Sequence, residues 1–170
     1  METIDFVALG LRLWLGAVMI MHGWNHARSI DGTARWFGSV GFSSARLNAQ
    51  MSAYAELAIG LALVLGFLTQ FATLGVVSIM FVAFWSIHRF AGFFVFNRPD
   101  EGYEYVVTVA VAAVALAAIG AGEISIDHLI GLATDLDGPV GAAIAGAGIA
   151  AGSAQVAVFW RKPRSKEEEE

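Results

Sequence analysis

The sequence predicts an all-α fold, a polytopic bundle of membrane helices, and three observations carry that expectation. The 170-residue chain is 57% hydrophobic and only 15% charged, with a mean hydropathy of +0.65. A soluble domain of this size cannot bury that much apolar surface. Residues 57–87 contain no charged side chain and no histidine. As one helix those 31 residues would reach roughly 46 Å, against a bilayer core of about 30 Å, so the run must fold back on itself.

The first membrane helix is expected over residues 4–24. It is expected to be retained rather than removed as a leader, because Glu2 and Asp5 replace a positive start and Arg12 interrupts the apolar run. "GFLTQ", residues 66–70, holds the polar pair Thr69-Gln70 and marks a hairpin between helix two (50–68) and helix three (71–90). Helix four is expected over 105–121, stopping at "GAGE", where glycines cap a helix. A fifth run, 140–160, follows "DLDGP" and ends in Trp160 and "RKPRSK", an interfacial aromatic with a basic flank. The chain then divides into a four-helix core (1–130) and an appended transmembrane helix with a charged tail (131–170). Small residues recur every fourth position at Ala58, Ala62 and Gly66, at Ala113, Ala117 and Ala121, and at Gly148 and Gly152. That spacing lets helix backbones approach closely in lipid.

Between helices one and two, "SIDGTARWFGSVGF" carries Ser29 and Asp31 as helix caps and Arg35, Trp36 and Phe37 for a short interfacial helix. It reads as an amphipathic connector before it reads as a gate.

With five crossings, loop one (Arg28, Arg35, Arg46), loop three (Arg89, Arg98) and the tail (Arg161, Lys162, Arg164, Lys166) share one side, nine bases against none on the other. The positive-inside rule makes that side cytoplasmic, with the N-terminus outside and the C-terminus inside a cell membrane. The net charge of −5 includes four terminal glutamates, without which 11 acids face 10 bases. No nucleic-acid footprint follows. The absence of cysteine removes disulfides, thiol redox chemistry and cysteine metal sites.

The functional signal lies in the ionisable residues near the membrane. "IMHGWNHARS" (20–29) and "SIHRFAGFF" (86–94) end apolar helices in histidine. Counted along five alternating helices, His22, Glu56, His88 and Glu104 fall at one cytoplasmic-side depth, where inward-facing groups of a bundle meet. Tyr103, Tyr105, Trp24, Trp85, Phe93 and Phe94 are expected around them, while His26 is free to face water. Singly, the histidines read as interfacial anchors and Glu104 as a helix-start carboxylate. Glu56, inside "SAYAELAIGLAL", must be paired or protonated. Arg12, deep in helix one, is expected to pair with a carboxylate or a backbone carbonyl.

In order, "RLWLGAVMIMHGWNH", "GTARWFGSVGF", "AELAIGLALVLGFLTQ", "FWSIHRFAGFF" and "GYEYVVTV" resemble the DoxX family of small membrane proteins, over residues 12–127. "EISID" matches the close of that family's four-helix core. The resemblance places characteristic positions on Arg12, Gly16, His22, Gly23, Glu56, Gly60, His88, Gly92, Tyr103, Glu104 and Asp127. His26 stands where relatives often have lysine, and Thr69-Gln70 where they often have "TR". The resemblance implies a redox-associated subunit, similar to a membrane subunit of thiosulfate:quinone oxidoreductase. A quinone-type ligand would then sit among His22, Glu56, His88, Glu104, Tyr103 and Arg12. Electrons would come from a partner or a bound cofactor. The alternative is a non-enzymatic scaffold or small-molecule binder in the lipid bilayer, recruiting soluble oxidoreductases to its basic cytoplasmic loops. A third reading puts haem or a metal ion at His22 and His88.

Overall fold

The computed structural model describes residues 1–96, 101–132 and 136–163. Within them the chain is helical apart from turns, loops and one isolated bridge between Phe42 and Trp160. The helices are α1 (Thr3–Ala27), α2 (Ile30–Ser39), α3 (Ala45–Leu65), α4 (Thr69–Ser86), α5 (Glu104–Ile119), α6 (Ile126–Leu129), α7 (Gly138–Gly146) and α8 (Gly148–Phe159). A 3₁₀ turn, His88–Phe90, follows α4. Arg98, Asp135, Arg164, Lys166 and the glutamates at 167–170, which enter the charge reading above, lie outside the described residues.

Among the described residues four segments are long and apolar enough to cross a membrane: Thr3–Ala27, Ala45–Leu65, Thr69–Ser86 and Gly138–Phe159. The chain is a multi-pass membrane protein. The expected fourth helix, α5, has 16 residues and rises about 24 Å, short of a bilayer core of about 30 Å. It ends where Gly120 and Gly122 take left-handed φ of +93° and +74°, so the "GAGE" stop holds. The expected fifth run is two helices that meet at Ala147, between Gly146 and Gly148, where helix propensity is lowest. Helix three stops at Ser86 rather than 90, and His88 therefore stands in the 3₁₀ turn.

Hydrogen bonds fix which ends lie together. At one end Asp5 of α1 accepts from the Glu123 amide at 2.9 Å. Asp127 of α6 accepts from the amides of Leu68 and Thr69 at 2.7 and 2.9 Å, which caps the start of α4 from a segment distant in sequence. Gln70 donates to Asp137 at 2.6 Å. Burial, and next the charge of Asp127, push the Asp137 carboxyl above the usual carboxylate value. At the other end the Ser43 amide donates to the Phe159 carbonyl at 2.7 Å, the Trp160 indole to the Val40 carbonyl at 2.8 Å, and the Arg161 amide to the Gly41 carbonyl at 2.9 Å. The helical segments α1, α3, α4, α5 and α7–α8 thus alternate between an N-terminal end and a second end. Apart from Arg12, the described bases, Arg28, Arg35, Arg46, Arg89, Arg161 and Lys162, stand at the second end, called here the basic end.

Helix α1 packs closely along α3. A Cβ on Gly16 would lie 2.8 Å from the Gly60 carbonyl oxygen, and one on Gly60 would lie 2.7 Å from that of Gly16. Only glycine permits that approach. Gly60 does this work on α3, whereas Ala58 of the expected small-residue row is exposed. Gly148 and Gly152 do face a neighbour: their Cβ atoms would meet the carbonyls of Leu74 and Ser78 at 2.4 and 2.7 Å, so α8 lies directly on α4.

Candidate functional site

Toward the basic end the bundle opens into a cavity of about 920 Å³. Its walls come from the last turns of α1, from α2, α3 and α4, from the start of α5 and from Gln155 of α8. Its polar lining includes His22, His26, Ser52, Glu56 and His88, and its apolar lining includes Met19, Ile59, Ile79 and Val82.

Helical spacing builds the centre of this site. Ser52 and Glu56 are four apart on α3, and His22 and His26 are four apart on α1, so each pair shares a face. Glu56 is 3% exposed. Its Oε1 accepts from the Ser52 hydroxyl and lies 3.8 Å from Nε2 of His26, while Oε2 has no protein partner. The His26 ring stacks on Trp36 at 6.2 Å and 15° and lies 5.9 Å from Phe37. Thr33 donates to the His26 carbonyl at 3.3 Å. The connector α2 thus holds this imidazole against Glu56 and supplies one wall of the cavity. Asp31, expected as a cap, instead pairs with Arg46.

The structure brings together part of the expected set. His22, Glu56 and His88 line the cavity. His22 stacks on Tyr105 at 6.4 Å, and Nδ1 of His88 lies 2.7 Å from the Glu101 carbonyl oxygen. His26, expected toward water, is the imidazole nearest Glu56. Glu104 does not line the cavity; its carboxylate accepts from the Val95 amide at 3.2 Å. Tyr103 packs edge-on against Phe84 and Phe93 at 5.4 and 5.5 Å. Of the six aromatics expected around the site only Tyr105 lines it; Trp36, Phe37 and Phe42 supply the rest. The available signal for them was the amphipathic order of loop one, whose Thr33 and Phe37 are buried.

Arg12 belongs to a separate polar layer at the N-terminal end. It is fully buried, and Nη2 donates to the Ile124 carbonyl. Its Nε and Nη1 have no protein hydrogen-bond partner, and the buried Asp127 is its charged neighbour. Gly66 has φ +66°, and a Cβ there would fall 1.6 Å from Nη1. The glycine therefore serves both as the left-handed cap of α3 and as the space the guanidinium occupies. Among the described residues no group of three or more His, Asp or Glu side chains is gathered to hold a metal ion.

The DoxX family model matches residues 7–89. Over this segment, just under half of its length, the chain is similar to the DoxX family. The DoxX segment runs from α1 through most of the 3₁₀ turn and so contains His22, His26, Ser52, Glu56 and His88. Tyr105 and Gln155 come from beyond it. An uncharacterized protein of Haemophilus influenzae is 34% identical over 86 residues, which are 51% of this chain and 55% of that relative. The matched region thus spans little more than half of the relative's length. No solved structure matches the chain.

Proposed function

We propose that this DoxX-like protein is a redox-associated membrane subunit that binds a quinone-type ligand in the cavity at its basic end. The observation that carries this reading is the buried Glu56 set against His26 in a cavity whose wall is mostly apolar. A volume of about 920 Å³ suits a ring of that size with room for substituents. His22, His26 and His88 are the hydrogen-bonding groups for ligand oxygens, and imidazole exchanges protons near neutral pH. Reduction of a quinone to a quinol takes two electrons and two protons. The Glu56–His26 pair is the proton route in this reading. The electrons come from a soluble oxidoreductase partner or a bound cofactor, since the chain has no cysteine to supply them. Lipid extracted from the purified protein should contain quinone, and decylubiquinone should quench tryptophan fluorescence saturably. Absence of both would leave the scaffold reading.

That second reading rests on the basic end itself, whose arginines would dock a soluble, acidic oxidoreductase. Both readings place the basic end in the cytoplasm and the N-terminus outside the cell membrane. Reporter fusions after Asp137 and after Lys166 should then give opposite signals. Matching signals would remove the crossing by α7–α8 and with it this orientation.

A further inference from the structure

The cavity reaches the outer surface of the bundle. Its lining includes Met51 and Ala55, which are exposed on the side of α3 that also carries the exposed Tyr54 and Ala58. Opposite them the lining includes Leu74, Gly75 and Ser78 of α4 and Gln155 of α8. Ala55 stands ten residues into α3 and Leu74 twelve residues before the end of α4, about 15 and 18 Å from the basic end at about 1.5 Å per residue. Those depths lie inside a hydrocarbon layer of about 30 Å. A bridge crosses from α8 to α3 nearer the basic end: Gln155 Nε2 donates to Asn48 Oδ1 at 3.1 Å. Asn48 is fully buried and donates in turn to the Ser43 carbonyl at 3.0 Å. An amide pair at this depth has few other partners, so the bridge is a fixed sill below the gap.

We infer that the gap between α3 and the α4–α8 pair is a lateral portal, and that the site takes an amphipathic lipid. The polar head lies among His22, His26 and Glu56, and the hydrocarbon tail leaves past Met51 and Ala55 into the bilayer. An apolar-walled opening at this depth is filled by hydrocarbon rather than by water, and each buried methylene of the tail adds to affinity. Gln155, which lies outside the DoxX segment, fixes how far α8 stands from α3. The appended helix thereby sets the width of the portal. Only the identity of the head rests on the quinone reading.

The cysteine-free chain makes the test direct. The full-length Ser78→Cys protein is spin-labelled and placed in phospholipid vesicles. The label should collide more with oxygen, which concentrates in lipid, than with a water-soluble nickel chelate. Adding Ala55→Trp should abolish that excess, whereas Ala58→Trp, on the same face of α3 but outside the cavity, should leave it. Greater access of the nickel chelate, or an excess that survives Ala55→Trp, overturns the portal. In a second arm, decylubiquinone is compared with the tail-less 2,3-dimethoxy-5-methylbenzoquinone in the Ala55→Trp and Ala58→Trp proteins, so that partition into lipid cancels. The Ala58→Trp protein should hold the tailed compound about tenfold better relative to the tail-less one. Equal ratios in the two proteins overturn the tail assignment. If neither quinone binds while the oxygen result stands, the quinone head is discarded and the portal remains.

Discussion

Arg12→Leu is expected to lower the unfolding temperature of the detergent-solubilised protein by about 10 °C. Arg12 is fully buried and Asp127 is 1% exposed, so neither charge has water to fall back on. Asp127 is already committed to the amides of Leu68 and Thr69. Removing the guanidinium takes away the cation that faces that carboxylate from beyond ion-pair distance. The two are not in ion-pair contact, so the loss is one charged hydrogen bond plus a longer-range attraction, together about 3 kcal/mol, and each kcal/mol shifts the midpoint of a chain of this size by about 2–4 °C. The hydrogen bond is the one that the Ile124 carbonyl accepts. Arg12→Leu combined with Asp127→Asn should recover part of the loss, because the amide still accepts a backbone hydrogen bond and carries no charge. A double variant as unstable as the single one would show that packing, not charge, makes Arg12 matter. Ligand affinity should be untouched in both, since this layer and the cavity lie toward opposite ends of the bundle.

That separation could not be read from the chain alone. Segment lengths gave the helices and the hairpin, because bilayer thickness constrains how far an uncharged run goes. Depth counting also put His22, Glu56 and His88 at one level, and all three line the cavity. Direction around the helix axis was not legible. In lipid an apolar side chain is tolerated on every side, so α1, α3 and α4 carry little periodicity to say which face turns inward. Tyr105 reaches the cavity while its neighbour Glu104 does not, a difference of about 100° around one helix. His26 was missed for the same reason. It lies four residues past His22 and shares its face, but one turn nearer the end, where water was the expected neighbour. What turns it inward is α2, folded back so that Trp36 covers the ring. Gln155 had no signal at all, since its role depends on α8 reaching Asn48 across 107 positions of sequence.

The pairing of His26 with Glu56 leads to the sharpest functional expectation. His26→Phe keeps a ring to stack on Trp36 and Phe37, so the fold should survive, but the nitrogen facing Glu56 is gone. A hydrogen bond from His26 to a ligand oxygen, lost from one side, costs about 1–3 kcal/mol, which corresponds to roughly 5- to 150-fold in ligand affinity. Decylubiquinone titration should therefore show weakening in that range. Glu56→Gln should behave differently. The glutamine carbonyl still accepts from Ser52, so stability and binding should change little, but the side chain no longer gives up or takes a proton. Proton uptake accompanying quinone reduction, followed with a pH dye under single-turnover conditions, should fall in Glu56→Gln while the ligand remains bound. Glu56→Leu should be worse for folding, because it strands both the Ser52 hydroxyl and the His26 ring nitrogen. If His26→Phe binds as the parent does while His22→Phe does not, the imidazole that meets the ligand is the one stacked on Tyr105, and the proton route through His26 is wrong. If Glu56→Gln keeps full proton uptake, the carboxyl is a packing group held by Ser52, and the cavity exchanges protons with the basic end by another path.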